Sequence, residues 1–234
     1  RDQDDFNVNP FAKDDDNLLG LDQNFKNSFF FNRGLQRYSF VYSYLNSRKK
    51  TLFSFGDQDL AINIHQFTFV HKWGKFWLLD LGTGIHNSLS SSISYNNRNY
   101  DLDHFDIKSK VSYLYNQNTR LDLFYNFKDK ENKILEMETL QMHVLGMNFQ
   151  FANKQKFSLN ANANLYFNEF EGNTNSPVAY QMLEGLQPGT NLTWLLGLQK
   201  RLTSFLDLNI NYFGRKSEDS KTIHSGNVQL RATF

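Results

Sequence analysis

The sequence predicts an all-β protein: an antiparallel transmembrane β-barrel of the bacterial outer-membrane type, either whole or the C-terminal part of a larger barrel. Three observations carry this. Polar and apolar residues alternate through almost the whole chain, which places each set on one side of a sheet. Several alternating runs span about 11 to 15 residues, against roughly 5–6 in soluble strands, and a tilted membrane strand needs about 9–11 in hydrocarbon alone. Short and long connections also alternate along the chain, as in barrels with tight periplasmic turns and long extracellular loops.

Composition agrees. Aromatics make up 16% of the 234 residues, with 23 Phe and 11 Tyr against three Pro, a bias toward strands. No cysteine is present, so neither a disulfide framework nor thiol chemistry is available. A net charge of +1 gives no case for nucleic acid. Mean hydropathy is −0.58, and no apolar stretch reaches the roughly 18 residues of a membrane helix. A barrel escapes both tests, because only every second residue meets lipid.

The elements follow in order. Residues 1–23 carry Asp2, Asp4, Asp5, Asp14, Asp15, Asp16 and Asp22 and read as an acidic linker or lumen segment. They open without a signal peptide, so the expectation is a mature form or a C-terminal portion of a longer protein. The barrel is expected over 24–234. Its strands are expected near 24–33, 35–46, 58–72, 75–88, 98–115, 119–130, 136–152, 155–170, 190–202, 205–217 and 221–234. The short turns are Trp73-Gly74-Lys75, Asn116-Gln117-Asn118, Asn153-Lys154-Gln155 and Thr203-Ser204. The long connections are 46–59, 87–99, 128–133, 171–189 and 214–221.

Parity is clearest in Phe157–Phe167, where apolar odd positions alternate with Ser158, Asn160, Asn162 and Asn164. It slips twice. Leu60, Ile62 and Ile64 give way to Phe67 and Phe69, and Leu140, Met142 and Val144 give way to Leu145, Met147 and Phe149. Either a β-bulge or a strand buried on both faces produces such a slip. The count is eleven, while bacterial single-chain barrels are usually even. Either the count is off by one, or further strands lie upstream or come from another chain.

The segment from Tyr180 through Gly185, Gln187-Pro188-Gly189 and Trp194 is distinctive. So are Asn209 to Ser217 and Ile223 to Ala232, with Phe25 to Arg33 at the start. Together they resemble the C-terminal β-barrel region of large outer-membrane and cell-surface proteins of Bacteroidota. The resemblance spans about residues 20–234. It implies a long N-terminal portion and a place in a surface or secretion assembly.

Candidate chemistry is sparse. His65, His71, His86, His104, His143 and His224 show no metal-ligand spacing. Asp101, Asp103, His104 and Asp106 form the most catalytic-looking cluster, with Asp80, Glu169 and Glu171 as possible partners. An omptin-type rim protease uses carboxylates and a histidine to activate water, but no omptin motif is matched. Ser90, Ser91 and Ser92 after His86 lack the strained turn of a nucleophile. Asp14-Asp15-Asp16-Asn17 could offer oxygens to Ca²⁺ but lacks loop spacing.

No cofactor is implied. Trp73, Trp77, Phe157, Phe205 and Phe234 are expected at a membrane girdle on the short-turn side, Tyr95 and Tyr100 on the long-loop side. Val228, Leu230, Ala232 and Phe234 are expected as the assembly signal. The inward face should carry Asp106, Lys108, Lys110, Arg120, Asp122, Lys128, Asp207 and Arg231, whose mixed charges can pair across a lumen.

The expected role is non-enzymatic: an outer-membrane anchor or assembly subunit, with the C-terminus periplasmic. Expected partners are lipid and lipopolysaccharide, the barrel-assembly machinery, and other outer-membrane subunits or an upstream part of the same chain. The alternatives are the C-terminal barrel strands of a TonB-dependent transporter and the rim protease.

Overall fold

A chain that alternates polar and apolar residues can satisfy both sets only as strands with two different surroundings. The computed structural model describes residues 20–33, 37–53, 56–134, 136–153, 156–218 and 220–233. They form β1 (Gly20–Phe31), β2 (Tyr38–Phe53), β3 (Gly56–Trp73), β4 (Trp77–Ser92), β5 (Tyr100–Leu114) and β6 (Thr119–Asn132). Then follow β7 (Thr139–Asn153), β8 (Phe157–Glu171), the short helix α1 (Pro177–Met182), β9 (Gly189–Arg201), β10 (Leu206–Ser217) and β11 (Ile223–Ala232). The eleven strands form one sheet in chain order, each antiparallel to its neighbours. Among the described residues, β1 pairs with β2 only and β11 with β10 only.

The register sorts the side chains onto two faces. On one, Ile85 stands opposite Phe105, Leu123 opposite Met147 and Tyr125 opposite Leu145. These apolar side chains are exposed, Ile85 by 63% and Leu123 by 53%. The other face buries Asp106, Ser112, Asp122, Lys130 and Asn191. A soluble sheet does the reverse. An apolar face this continuous is made for hydrocarbon, so the fold is of the transmembrane-barrel type and the polar face is its interior.

The apolar band ends abruptly toward the long connections. Along the outward face Phe105 gives way to Asp103, Phe127 to Asp129 and Phe167 to Glu169. At this edge three tyrosines bridge to a histidine on the next strand. Tyr42 hydroxyl lies 2.9 Å from His65 Nδ1, Tyr125 hydroxyl 2.8 Å from His143 Nδ1 and Tyr212 hydroxyl 2.7 Å from His224 Nδ1. Polar tips on aromatic bodies suit a boundary between hydrocarbon and water.

Three expectations need correction, and the parity slips resolve between their two readings. They are not bulges, since the ladders of β3 and β7 run without a break. Instead both strands carry apolar residues on each face, at different heights. Much of the expected connections 46–59, 87–99 and 128–133 is strand, because β2 runs to Phe53, β3 starts at Gly56, β4 runs to Ser92 and β6 to Asn132. Polar composition there marks the exit from lipid, not from the sheet. Cross-strand pairs such as Arg48–Asp59 at 2.7 Å and Lys50–Asp57 at 3.0 Å support the projecting hairpin.

The region after 171 is not simply a polar loop, because it contains α1. Finally, β1 begins at Gly20, so the expected boundary at residue 23 falls inside a strand. Residues 1–19, with the Asp14–Asn17 run, and Phe234 lie outside the described residues.

Candidate functional site

The β8–β9 connection turns into the interior. Ser176 caps the helix by accepting a hydrogen bond from Ala179 N at 2.9 Å, and Pro177 occupies the first turn, where its missing N–H costs nothing. Val178, Ala179, Met182 and Leu183 fall on one side and are buried against Leu102 of β5 and Leu140, Met142 and Val144 of β7. Leu140, Met142 and Met182 are 0% exposed. Glu184 (φ 57°) and Gly185 (φ 77°) then take left-handed conformations that reverse the chain.

That reversal presents Glu184 to the wall. Its Oε1 accepts from Lys128 Nζ at 2.6 Å and Lys130 Nζ at 2.8 Å. Lys130 Nζ also donates to Met182 O at 2.8 Å, and Arg215 Nη1 on β10 donates to Gly185 O at 3.2 Å. On the far side, Glu138 accepts from Asn132 Nδ2 at 2.7 Å and Ser176 Oγ at 3.2 Å. The connection is therefore tied to strands from β5 to β10, which places it inside the curl of the sheet.

Burial pushes the Glu184 carboxyl up, but Lys130 and Lys128 outweigh it and hold the group at about 2, below its ordinary 4.5. A depressed carboxylate stabilises the folded form above its unfolded pKa and loses that contribution as pH falls through its folded one. The latch should thus hold at neutral pH and weaken between pH 4.5 and about 2. Proteolysis within residues 172–188 should rise across that window in native protein. In Glu184→Gln it should already be raised at pH 7, with a flat pH profile. An acid-insensitive wild type would contradict the latch.

Deeper in the interior, charges are paired. Asp106, 1% exposed, is bonded to His86 Nε2 and lies 3.0 Å from Lys108 Nζ. The His86 and His104 rings stack at 4.5 Å. Lys110 lies 3.1 Å from Asp80, and Arg120 Nε donates to Asp122 at 2.7 Å. Beyond these the wall is amide-rich, with Asn148, Asn162, Asn164 and Thr193 hydrogen-bonded in a row. Where Gly146 faces inward, the Phe124 ring fills the place a Cβ would take, an aromatic covering a glycine across a pair of strands. Among the described residues, these salt pairs and packed rings give the interior charges of both signs.

The catalytic-looking cluster comes apart. Asp103 and His104 are adjacent in a strand and so point to opposite faces. Asp103 faces outward, bonded to Lys133 and to Asn87 Nδ2 at 2.9 Å, while His104 faces the interior. Asp80 is engaged with Lys110, and Glu169 and Glu171 lie on the outer face of β8, with β6 and β7 between them and Asp103. Ser90 and Ser92 are buried in β4, and Ser92 Oγ donates to Asp57 O at 2.8 Å. No three metal-binding side chains converge among the described residues.

Of the expected girdle, Trp73 and Trp77 face each other across the β3–β4 turn, 72% and 47% exposed, and Phe205 lies exposed in the β9–β10 turn. Phe157 packs its ring 5.8 Å from Phe151. Tyr95 is exposed, with Arg98 over its ring at 4.9 Å. Tyr100 needs correction. It shares the inward face of β5 with Leu102 and packs on the buried cluster, because height along a strand does not fix the face. Val228 and Leu230 are exposed on the outward face with Ala232.

Sequence reading missed α1 and Glu184. The Ser176-Pro177 start with apolar residues at Val178, Met182 and Leu183 was the available signal for the helix.

No protein-family model and no curated protein matches the chain. Among solved structures it is similar to the CymD monoaromatic hydrocarbon channel, with 10% identity and TM-score 0.47, covering 92% of this chain and 79% of that one. It is similar to the transport unit of the autotransporter AIDA-I from Escherichia coli, with 12% identity and TM-score 0.38, covering 92% and 84%. A third is the translocator domain of autotransporter NalP from Neisseria meningitidis, with 14% identity and TM-score 0.39, covering 92% and 82%. Scores this low leave the reading to the chain's own geometry.

Proposed function

We propose that the chain is a non-enzymatic outer-membrane barrel that anchors, or forms a subunit of, a cell-surface assembly of the Bacteroidota kind. The observation that carries this is the inward-folded β8–β9 connection, with its fully buried Met182 and its two-lysine latch on Glu184. A conduit for bulk solutes has no use for a packed apolar cluster in its mouth, whereas an anchor gains stability from it. Asp103 and His104 stand on opposite faces of β5, which weighs against a rim protease built on that pair. In this reading the long connections face outside and the C-terminal strand ends in the periplasm. The outward charges beyond the band meet lipopolysaccharide, and the barrel-assembly machinery reads the sequence pattern Val228, Leu230, Ala232 and Phe234.

Planar-bilayer recording tests it. Purified protein should show no sustained wide conductance. The double variant Met182→Glu, Glu184→Ala should open one, because it places a charge in the cluster and removes the latch. A steady porin-sized conductance in the unaltered protein would overturn the anchor reading.

A further inference from the structure

In an antiparallel sheet taken in chain order, the β1–β2, β3–β4, β5–β6, β7–β8 and β9–β10 turns lie at one end, together with the close of β11. That end is basic. Residues 30–38, 70–79, 113–121, 150–158, 199–206 and 229–233 hold Lys and Arg but no Asp or Glu. The whole chain has a net charge of only +1, so charge is segregated rather than in excess. Acids gather at the other end, where Asp103, Asp129, Glu131, Glu169 and Glu171 stand beyond the apolar band.

The cations stand side by side. Lys72 N donates to Arg37 O at 2.7 Å, so the β1–β2 turn sets Arg37 next to Lys72, and Lys75 follows in the β3–β4 turn. Arg201 N donates to Lys156 O at 3.0 Å, and Lys200 lies opposite Phe157. All six of these cations are exposed. Arg201 has Asp207 at 3.4 Å. Among the described residues, Arg37, Lys72, Lys75, Lys156 and Lys200 have no ion-pair partner. Like charges on neighbouring strands destabilise a sheet, and these turns hold no acid to relieve them. An anion from outside the chain would.

The aromatics around the cations identify its source. Trp73, Phe76 and Trp77 lie exposed around Lys72 and Lys75, and Phe205 lies exposed beyond Lys200 and Arg201. Interfacial rings beside cations mark the level where hydrocarbon gives way to headgroups. Long Lys and Arg stems can lie along apolar surface while their charged ends reach that level. The basic turns also recur across the sheet, on the β1–β2, β3–β4, β7–β8 and β9–β10 hairpins. A shell of lipid meets all of them, whereas one acidic protein would cover one side.

We propose that the short-turn end of the barrel binds the phosphates of anionic phospholipids in the leaflet it faces. This rests on the membrane-spanning reading. In the orientation proposed above, the leaflet is the periplasmic one.

Tryptophan quenching by brominated lipids tests it, because the three tryptophans divide between two places. In Trp194→Phe, Trp73 and Trp77 report on the short-turn end. In the double variant Trp73→Phe, Trp77→Phe, Trp194 reports from the apolar band, where its ring lies 5.9 Å from that of His224. Each full-length variant is placed in phosphatidylcholine vesicles that contain brominated phosphatidylglycerol or brominated phosphatidylcholine. At Trp73 and Trp77 the phosphatidylglycerol should associate roughly fivefold more tightly, the effect of about one cation near an anionic surface. High salt should remove the preference. Adding Arg37→Gln, Lys72→Gln and Lys75→Gln should bring the ratio close to one, while Lys72→Arg with Lys75→Arg should keep it. At Trp194 neither lipid should be preferred.

Equal quenching by both lipids at the short-turn reporters would overturn the headgroup site and leave the barrel intact. So would a preference that survives the three glutamine substitutions. A preference abolished by inorganic phosphate but not by chloride at the same ionic strength would assign the cations to free phosphate and also overturn it. No quenching of either reporter by any brominated lipid would count against the barrel itself.

Discussion

Leu123→Arg should destabilise the protein by about 2–4 kcal/mol when unfolding is followed by denaturant titration from phospholipid vesicles. Leu123 lies on β6 within the apolar band, opposite Met147 and flanked by Leu121 and Tyr125. In a water-soluble protein, a leucine that is 53% exposed is an ordinary surface position, where an arginine costs within about 0.5 kcal/mol. The two environments thus predict different outcomes for one substitution. A change below 0.5 kcal/mol would mean that this face does not meet lipid. Asp122→Asn, one residue away but inward beside Arg120, is the control, because it leaves the lipid face as it is.

Leu140→Ala should cost about 2–5 kcal/mol, the usual penalty for a fully buried leucine. The site is 0% exposed and contributes to the cluster with Met182 and Leu183. The loss should fall on the β8–β9 connection. The β7 ladder and its lipid face remain, so heat-modifiable migration should persist while hydrogen exchange in α1 and proteolysis within residues 172–188 increase. Simultaneous loss of barrel and connection would show that the two form one cooperative unit rather than two layers of stability.

The eleven described strands and most of their positions could be read from the sequence because a period of two survives whichever face is apolar. The residues that misled are those where a second apolar surface was present. Leu140, Met142 and Val144 looked like a register fault because the helix that covers them begins 33 residues after Val144. The hairpin around Arg48 and Asp59 looked like a loop because both its faces are wet. Glu184 gave no local sign of its partners, since Lys128 is 56 residues away. Asp103 and His104 looked like a site because adjacency in sequence suggests proximity, yet in a strand it guarantees opposite faces.

The order of the sheet has a kinetic consequence. Among the described residues each strand hydrogen-bonds only to its neighbours in sequence, so this ladder can grow hairpin by hairpin without closing a long loop. The Glu184 contacts with Lys128 and Lys130 span 56 and 54 residues, and such distant contacts form late, once the intervening chain is already arranged. The β8–β9 connection is therefore the last described part to settle. Its substitutions should change the unfolding rate of that segment and leave the rate of barrel insertion untouched.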